Sequence, residues 1–209
     1  MRSNFLNSWT IRLVIINFLF FLLASVVYFV YPGIIGLIAL QPSKFLSMPW
    51  TIITSMFMHA PTFPVHILAN MFSLLFLGSF LERLIGKKRY LFIYFLGGIL
   101  GSALYILNFY ISGVDTPAIG ASGAIFALGG MLAVITPRMP VYIMFIPVAM
   151  PMWFGVILSL ALLWILSLAA GLPIGNWAHL GGLVAGVLYA LYLRRKYKRR
   201  FDMISNHFR

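Results

Sequence analysis

Long apolar runs dominate this sequence and decide what it can fold into. The first of them, residues 11–31, has about the 20 residues that a helix needs to cross a bilayer. Of the 209 residues, 62% are hydrophobic and only 9% are charged, too few to cover the core of a soluble domain. We therefore predict an all-α polytopic membrane protein. The first run is too long for the core of a signal peptide, so we expect the protein to retain it.

Hydropathy predicts that the chain crosses the membrane six times. The predicted spans are residues 11–31, 65–81, 89–110, 120–136, 152–170 and 177–193. The apolar stretch 137–151, before the fifth span, contains Pro137, Pro140, Pro147 and Pro151. Because prolines interrupt helices, we expect this stretch to form an interfacial or re-entrant excursion instead of a straight helix.

The positions of lysine and arginine predict the orientation of the chain. All of these 15 residues except Lys44, which lies in the predicted outer loop 32–64, fall on one side of the six spans. By the positive-inside rule, the N-terminal segment 1–10 and the basic tail 194–209 are both cytoplasmic. A basic cluster that directly follows a span is typical of a contact with anionic lipid, so we expect a bilayer partner and no nucleic acid. The expected location is the plasma membrane of a prokaryote.

Four polar side chains fall at one depth in the predicted bundle. His66 and Asn70 are four residues apart at the outer end of the second span, so they share a helix face. Ser122 lies in the first turn of the fourth span and His179 in the first turn of the sixth, and both spans begin outside. Polar residues inside a membrane are costly, and their coincidence predicts a functional site.

Each of these residues also has a structural interpretation. Ser122 is flanked by Gly120 and Gly123, and small residues of this kind let helices approach closely. His179 can bond a backbone carbonyl, and His66 and Asn70 can tie the second span to a neighbour. In the outer loop, we expect His59 to be solvated or to brace the loop.

Together, the four residues indicate nucleophilic acyl transfer. A serine hydroxyl needs a neighbouring base, and a neutral imidazole suits that role. No carboxylate is in reach at that depth, so the sequence offers a Ser–His dyad, with oxyanion donors from the backbone near Ser122 and from Asn70 or His66. The spaced glycines Gly182 and Gly186 give the sixth span a flat face that would allow this contact. The chain has no cysteine, and we expect no metal and no cofactor.

Three blocks of the sequence resemble the rhomboid family of intramembrane serine proteases. They are "HILANMFSLLFLGSFLERLIGKKRY" with its His-x-x-x-Asn pair, "GASGAIFALGG", and "AHLGGLVAG". The similarity extends from about residue 50 to residue 193. It implies a six-helix rhomboid core within residues 11–193.

The same resemblance implies roles for individual residues. Ser122 would be the nucleophile and His179 the general base, and His66, Asn70 and the Ser122 backbone N–H would form the oxyanion hole. Structural positions of the motifs are Gly120, Gly123, Glu82, Arg83, Gly182 and Gly186. The implied substrates are single-span membrane proteins that are cut near the outer face of the membrane.

Two other functions compete with proteolysis. A rhomboid-like protein can bind membrane clients without cutting them, but such proteins typically lack the serine or the histidine, and both are present here. A small transporter or channel would place ionisable residues near the bilayer midplane and would show an internal repeat, neither of which is evident.

Overall fold

Helices make up most of the chain. The computed structural model describes residues 7–143, 146–199, 201 and 203. Its helices are α1 (Trp9–Val30), α2 (Ile34–Ile38), α3 (Thr51–Thr54), α4 (Pro64–Ser73), α5 (Ser79–Ile85), α6 (Lys87–Ser112), α7 (Ser122–Ile135), α8 (Met152–Ala170) and α9 (Asn176–Lys196). A short 3₁₀ turn covers Pro42–Lys44, and a π-helical turn, Leu74–Gly78, joins α4 to α5. The predicted segment 1–10 and tail 194–209 lie partly outside the described residues.

Four helices of the described chain are long and apolar enough to cross a membrane. They are α1, the continuous run Pro64–Ile85 formed by α4 and α5, α6 and α8. At 14 residues and about 21 Å, α7 is shorter than the hydrocarbon core, and α9 begins with polar residues and glycines that lower its hydropathy. The prediction of a mostly helical membrane protein is confirmed, and the count of six spans stays a prediction.

Helix α7 is the axis of the bundle and is buried along most of its length. It packs between α6 and α9 through small residues. A Cβ on Gly182 would meet the backbone of Gly123, and a Cβ on Gly186 would meet the backbone of Ala127, whose side chain also faces Gly97. In lipid, the hydrophobic effect does not drive helices to associate. Close van der Waals contact of this kind therefore stabilises the bundle.

The N-terminus of α1 is held by a carboxylate from α5. Glu82 accepts hydrogen bonds from the backbone N–H groups of Trp9 (2.9 Å) and Thr10 (3.0 Å) and from the hydroxyls of Ser8 (2.7 Å) and Thr10 (2.9 Å). The first N–H groups of a helix have no partner within it, and a negative charge there is favourable. Glu82 therefore caps α1 and attaches it to the rest of the bundle.

We expect Glu82→Ala to destabilise the fold by about 1–3 kcal/mol, because several buried donors lose their acceptor. The measurement is the free energy of unfolding in a mild detergent. Arg83→Ala is the matched control, since the exposed Arg83 bonds, among the residues that the structure describes, only the Ser79 carbonyl of its own helix, at 3.1 Å. Equal unfolding free energies for the two variants would contradict the capping role of Glu82.

The stretch between α7 and α8 departs from the all-α prediction. Strands β1 (Pro140–Ile143) and β2 (Ile146–Pro151) form an antiparallel hairpin, with Val141 opposite Met150. Both of these side chains are buried, and both approach Gly155 of α8. Prolines remove helical hydrogen-bond donors but are tolerated in short strands, so this segment is extended.

Candidate active site

The hydroxyl of Ser122 and the imidazole of His179 are in contact. Ser122 Oγ lies 2.7 Å from His179 Nε2, although the two residues are 57 positions apart. Ser122 is the first residue of α7, and His179 lies in the first turn of α9. The close packing of these two helices over Gly123 and Gly182 brings the side chains within hydrogen-bonding distance.

The ring of His179 is held mainly by packing. Its side chain is 5% exposed and stacks on Phe126, with ring centroids 4.8 Å apart and an angle of 26° between the planes. Among the described residues, Nδ1 of His179 has no hydrogen-bond partner. A neutral ring with its hydrogen on Nδ1 leaves Nε2 free to accept the proton of the Ser122 hydroxyl.

The backbone before Ser122 has an unusual conformation. Gly120 has a φ of +118°, a region that residues with a Cβ rarely adopt. A Cβ at this position would also come within 2.8 Å of His66 Nε2. Glycine therefore permits both the turn into α7 and the close approach of the His66 ring.

His66 lies at the same site, and Asn70 lies one helical turn further along α4. The imidazole Nε2 of His66 faces the backbone next to Ser122, as its approach to Gly120 indicates. Asn70 is 7% exposed, and its Nδ2 donates to the His66 carbonyl at 2.9 Å. This bond occupies one of the two amide hydrogens of Asn70 and leaves the other for a ligand.

His59 is buried, so the expectation that it could be solvated is wrong. The side chain is 0% exposed, and its ring meets that of His66 edge-on, with centroids 5.0 Å apart. Burial, with the nearby His66 adding to the effect, lowers the pKa of His59 to about 3. His59 is therefore neutral at physiological pH and braces the loop, with Nδ1 3.3 Å from the Phe57 carbonyl oxygen.

The loop that precedes Ser122 is fastened to the loop 32–64. Leu40 and Ala118 exchange two backbone hydrogen bonds of 3.0 and 2.9 Å, and the Gly120 N–H donates to the Ser55 carbonyl at 2.9 Å. Closer to α6, the Asp115 carboxylate accepts from the backbone N–H (2.9 Å) and the hydroxyl (2.5 Å) of Ser43. These bonds fix the height at which α7 begins.

If Ser122 is the nucleophile that the sequence predicts, Asp115→Ala should reduce kcat/KM by about tenfold, because small displacements of a nucleophile are costly and this change frees one attachment of its loop. Asp115→Asn should lose less, since its amide oxygen still accepts from Ser43 N–H. The measurement is the initial rate of substrate cleavage in liposomes. Ser47→Ala is the matched control, because in the described part of the chain its hydroxyl bonds only the Lys44 carbonyl, three residues away. A comparable rate loss in this variant would contradict the role of Asp115.

Two contacts of the site were not predicted from the sequence. Phe126 lies four residues after Ser122 on the same face of α7, and this spacing is the signal that could have identified it. The Asp115–Ser43 pair joins residues 72 positions apart, and no local pattern marks it.

The family of this chain is decided by a match to a known domain. Residues 46–196 match the family model described as the Rhomboid domain, which is most of the chain. The chain belongs to the rhomboid family.

Several plant and fungal proteins are similar to this rhomboid. It is 36% identical over 153 residues to RHOMBOID-like protein 1 of Arabidopsis thaliana, covering 71% of this chain and 36% of the relative. It is 29% identical over 158 residues to Rhomboid protein 1, mitochondrial, of Saccharomyces cerevisiae, covering 72% of this chain and 43% of the relative. This rhomboid therefore spans less than half the length of these relatives.

One similar protein carries a different description. Inactive RHOMBOID-like protein 8 of Arabidopsis thaliana is 35% identical over 94 residues, covering 44% of this chain and 25% of the relative. Membership of the family is thus compatible with an intramembrane protease or with a rhomboid-like protein that does not cut. The choice between these two functions therefore depends on the chemistry of the site.

Proposed function

We propose that this rhomboid is an intramembrane serine endopeptidase that cleaves single-span membrane proteins near the outer face of the membrane. The observation that carries the proposal is the distance of 2.7 Å between Ser122 Oγ and His179 Nε2. A hydroxyl in this position is activated by a neutral imidazole, as in other serine hydrolases.

The first half of the reaction forms an acyl-enzyme. Ser122 Oγ attacks the carbonyl carbon of the scissile peptide bond, and His179 Nε2 takes the hydroxyl proton. The tetrahedral intermediate then collapses, the C–N bond breaks, and His179 returns the proton to the leaving amine. No third residue is required, because stacking on Phe126 already orients the imidazole.

The second half is hydrolysis of the ester. Water attacks the acyl carbon while His179 accepts a proton from it. The bond between the acyl carbon and Ser122 Oγ then breaks, and His179 gives the proton to Oγ, which restores the hydroxyl. In both halves the oxyanion is stabilised by the Ser122 backbone N–H at the start of α7, by the His66 ring beside Gly120, and by the second amide hydrogen of Asn70.

The orientation of the protein is part of the same proposal. With residues 1–10 and the tail 194–209 in the cytoplasm of a prokaryote, the domain 11–193 opens its site toward the outer face of the plasma membrane. Partners are then transmembrane substrates whose polypeptide becomes accessible at that face.

Cleavage of a defined substrate tests this function. The full chain is reconstituted into liposomes with a labelled single-span membrane protein, and mass spectrometry locates the cut. A cut within the outer part of the substrate span supports the proposal. Stable binding of the substrate without any cut would instead support the alternative, a non-catalytic rhomboid-like protein that binds membrane clients, which the inactive relative makes worth testing.

Asn70→Ala is expected to lower kcat by about 100-fold with KM changed by less than about twofold. An oxyanion donor acts on the transition state more than on the bound substrate. The check is a full kinetic curve in liposomes, together with the melting temperature as a control for folding. A raised KM with an unchanged kcat would assign Asn70 to substrate binding instead.

A further inference from the structure

The β1–β2 hairpin emerges at the end of the bundle where basic residues collect. Its base is closed by hydrogen bonds from Met152 N–H to the Met139 carbonyl (2.9 Å) and from Met139 N–H to the Thr136 carbonyl (3.1 Å). Helix α6 begins and α9 ends at this level, where the guanidinium of Arg89 lies 4.7 Å from the ring centroid of Tyr197. Because basic residues collect where helices meet the membrane–water boundary, we place the base of the hairpin near the membrane surface.

Only part of the hairpin packs against protein. Val141 and Met150 face Gly155 of α8. Beyond this pair the strands lose their regular register, and the half-buried side chains of Ile143 and Ile146 still pack against the core. Tyr142 is 66% exposed and Val148 is 61% exposed, so apolar side chains project where no described residue covers them.

Neither water nor the centre of a bilayer suits this element. From residue 139 to residue 193 the sequence has no charged residue, and exposed apolar strand edges in water are prone to pairing with other chains. In hydrocarbon, the open strand edges would leave backbone groups unpaired. The boundary between headgroups and acyl chains suits the hairpin, because lipid there covers the apolar side chains while water hydrates the unpaired backbone groups of the strand edges.

The prolines and aromatic residues around the hairpin fit that boundary. Pro140, Pro147 and Pro151 have no N–H, which reduces the number of donors on the strand edges. Trp153 and Phe154, which follow directly in α8, are 47% and 42% exposed, and exposed aromatic residues are enriched at membrane interfaces. The apolar surface thus continues from the hairpin onto the lipid-facing side of α8.

We propose that this hairpin is inserted into the headgroup–acyl boundary of the bilayer at the basic end of the bundle. Its exposed residues between Pro140 and Pro151, which are Tyr142, Pro147, Val148 and Ala149, contact lipid. Arg138, at its base, lies at the level of the phosphates and adds an attraction to anionic lipid. The hairpin is then a second membrane anchor beside the transmembrane helices.

Site-directed spin labelling tests this placement directly, because the chain has no cysteine of its own. A nitroxide is attached to Val148→Cys in the full chain, reconstituted into liposomes of neutral and anionic phospholipid. Accessibility to oxygen is compared with accessibility to a water-soluble nickel chelate. The references are Lys88→Cys at the basic end of α6 and Ile165→Cys, an exposed position within α8.

We expect the oxygen-to-nickel ratio at Val148 to be about threefold or more above that at Lys88 and below that at Ile165. A ratio equal to that of Lys88 would place the hairpin in water and overturn the proposal. Low accessibility to both reagents would also overturn it, because a protein surface, either the tail or a second copy, would then cover the hairpin. Ala149→Cys is labelled in parallel and decides the question if the Val148 variant does not fold.

Discussion

Ser122→Ala is expected to lower kcat for cleavage by roughly 1,000-fold or more while the melting temperature changes by only a few degrees. The substitution removes the oxygen that lies 2.7 Å from His179 Nε2 and leaves a small side chain at the start of α7. The measurement is the initial rate of cleavage of a labelled single-span substrate in liposomes. Ser112→Ala is the matched control, since that exposed hydroxyl, on the last residue of α6, makes local bonds alone in the described chain: it donates to the Asn108 carbonyl at 2.8 Å and accepts from the Val114 N–H at 3.2 Å.

The same experiment extends to the base. His179→Ala should cost about as much as Ser122→Ala, and the double variant should be no slower than either single variant, because the two groups act as one unit. Multiplying losses in the double variant would mean that the two residues contribute separately. Cleavage by Ser122→Ala at the parental rate would remove Ser122 from the mechanism altogether.

Gly186→Ala is expected to destabilise the fold and to reduce cleavage as well. The added methyl group would meet the backbone of Ala127, including its carbonyl, and backbone atoms of a buried helix cannot rotate away. Helices α7 and α9 would have to separate, at a cost of about 1–3 kcal/mol. Because the separation also moves His179 away from Ser122, cleavage should fall with stability.

Thermal unfolding in detergent measures this effect, with Gly36→Ala as the matched control. Gly36 has open space where its Cβ would be, so the same substitution there adds a methyl group without a collision. If both variants melt at the temperature of the parent, α7 and α9 do not make the contact described here. If only the Gly186 variant is destabilised, the packing of these helices limits the stability of the bundle.

Hydropathy predicted the helices well because apolar length is a local property. The prediction ended the second span at residue 81, whereas the helical run continues to Ile85. The reason is Glu82, a charged residue that hydropathy excludes from a span. Four hydrogen bonds from Ser8, Trp9 and Thr10 satisfy its carboxylate, so the helix tolerates it. Its donors lie more than 70 positions away, which no local rule can detect.

The sequence indicates the depth at which the residues of the candidate site lie in the bundle, but not the loop contacts that hold them in place. Helical spacing placed Ser122, His66 and His179 at one level, and polar residues in apolar runs are conspicuous. The hairpin after α7 and the attachment of Asp115 to Ser43 depend on which loops meet in space. Pairings of that kind follow from the assembled bundle and are not encoded in a short window of sequence.

The cap that Glu82 provides to α1 has a consequence for the order in which the protein is assembled during synthesis. Helix α1 leaves the ribosome before α5, and its acceptor therefore belongs to a segment made about 70 residues later. Until then, water at the membrane surface must solvate the N–H groups of its first turn. Nascent α1 therefore stays undocked in the lipid, and it settles against its neighbours only after the second long helix has been inserted.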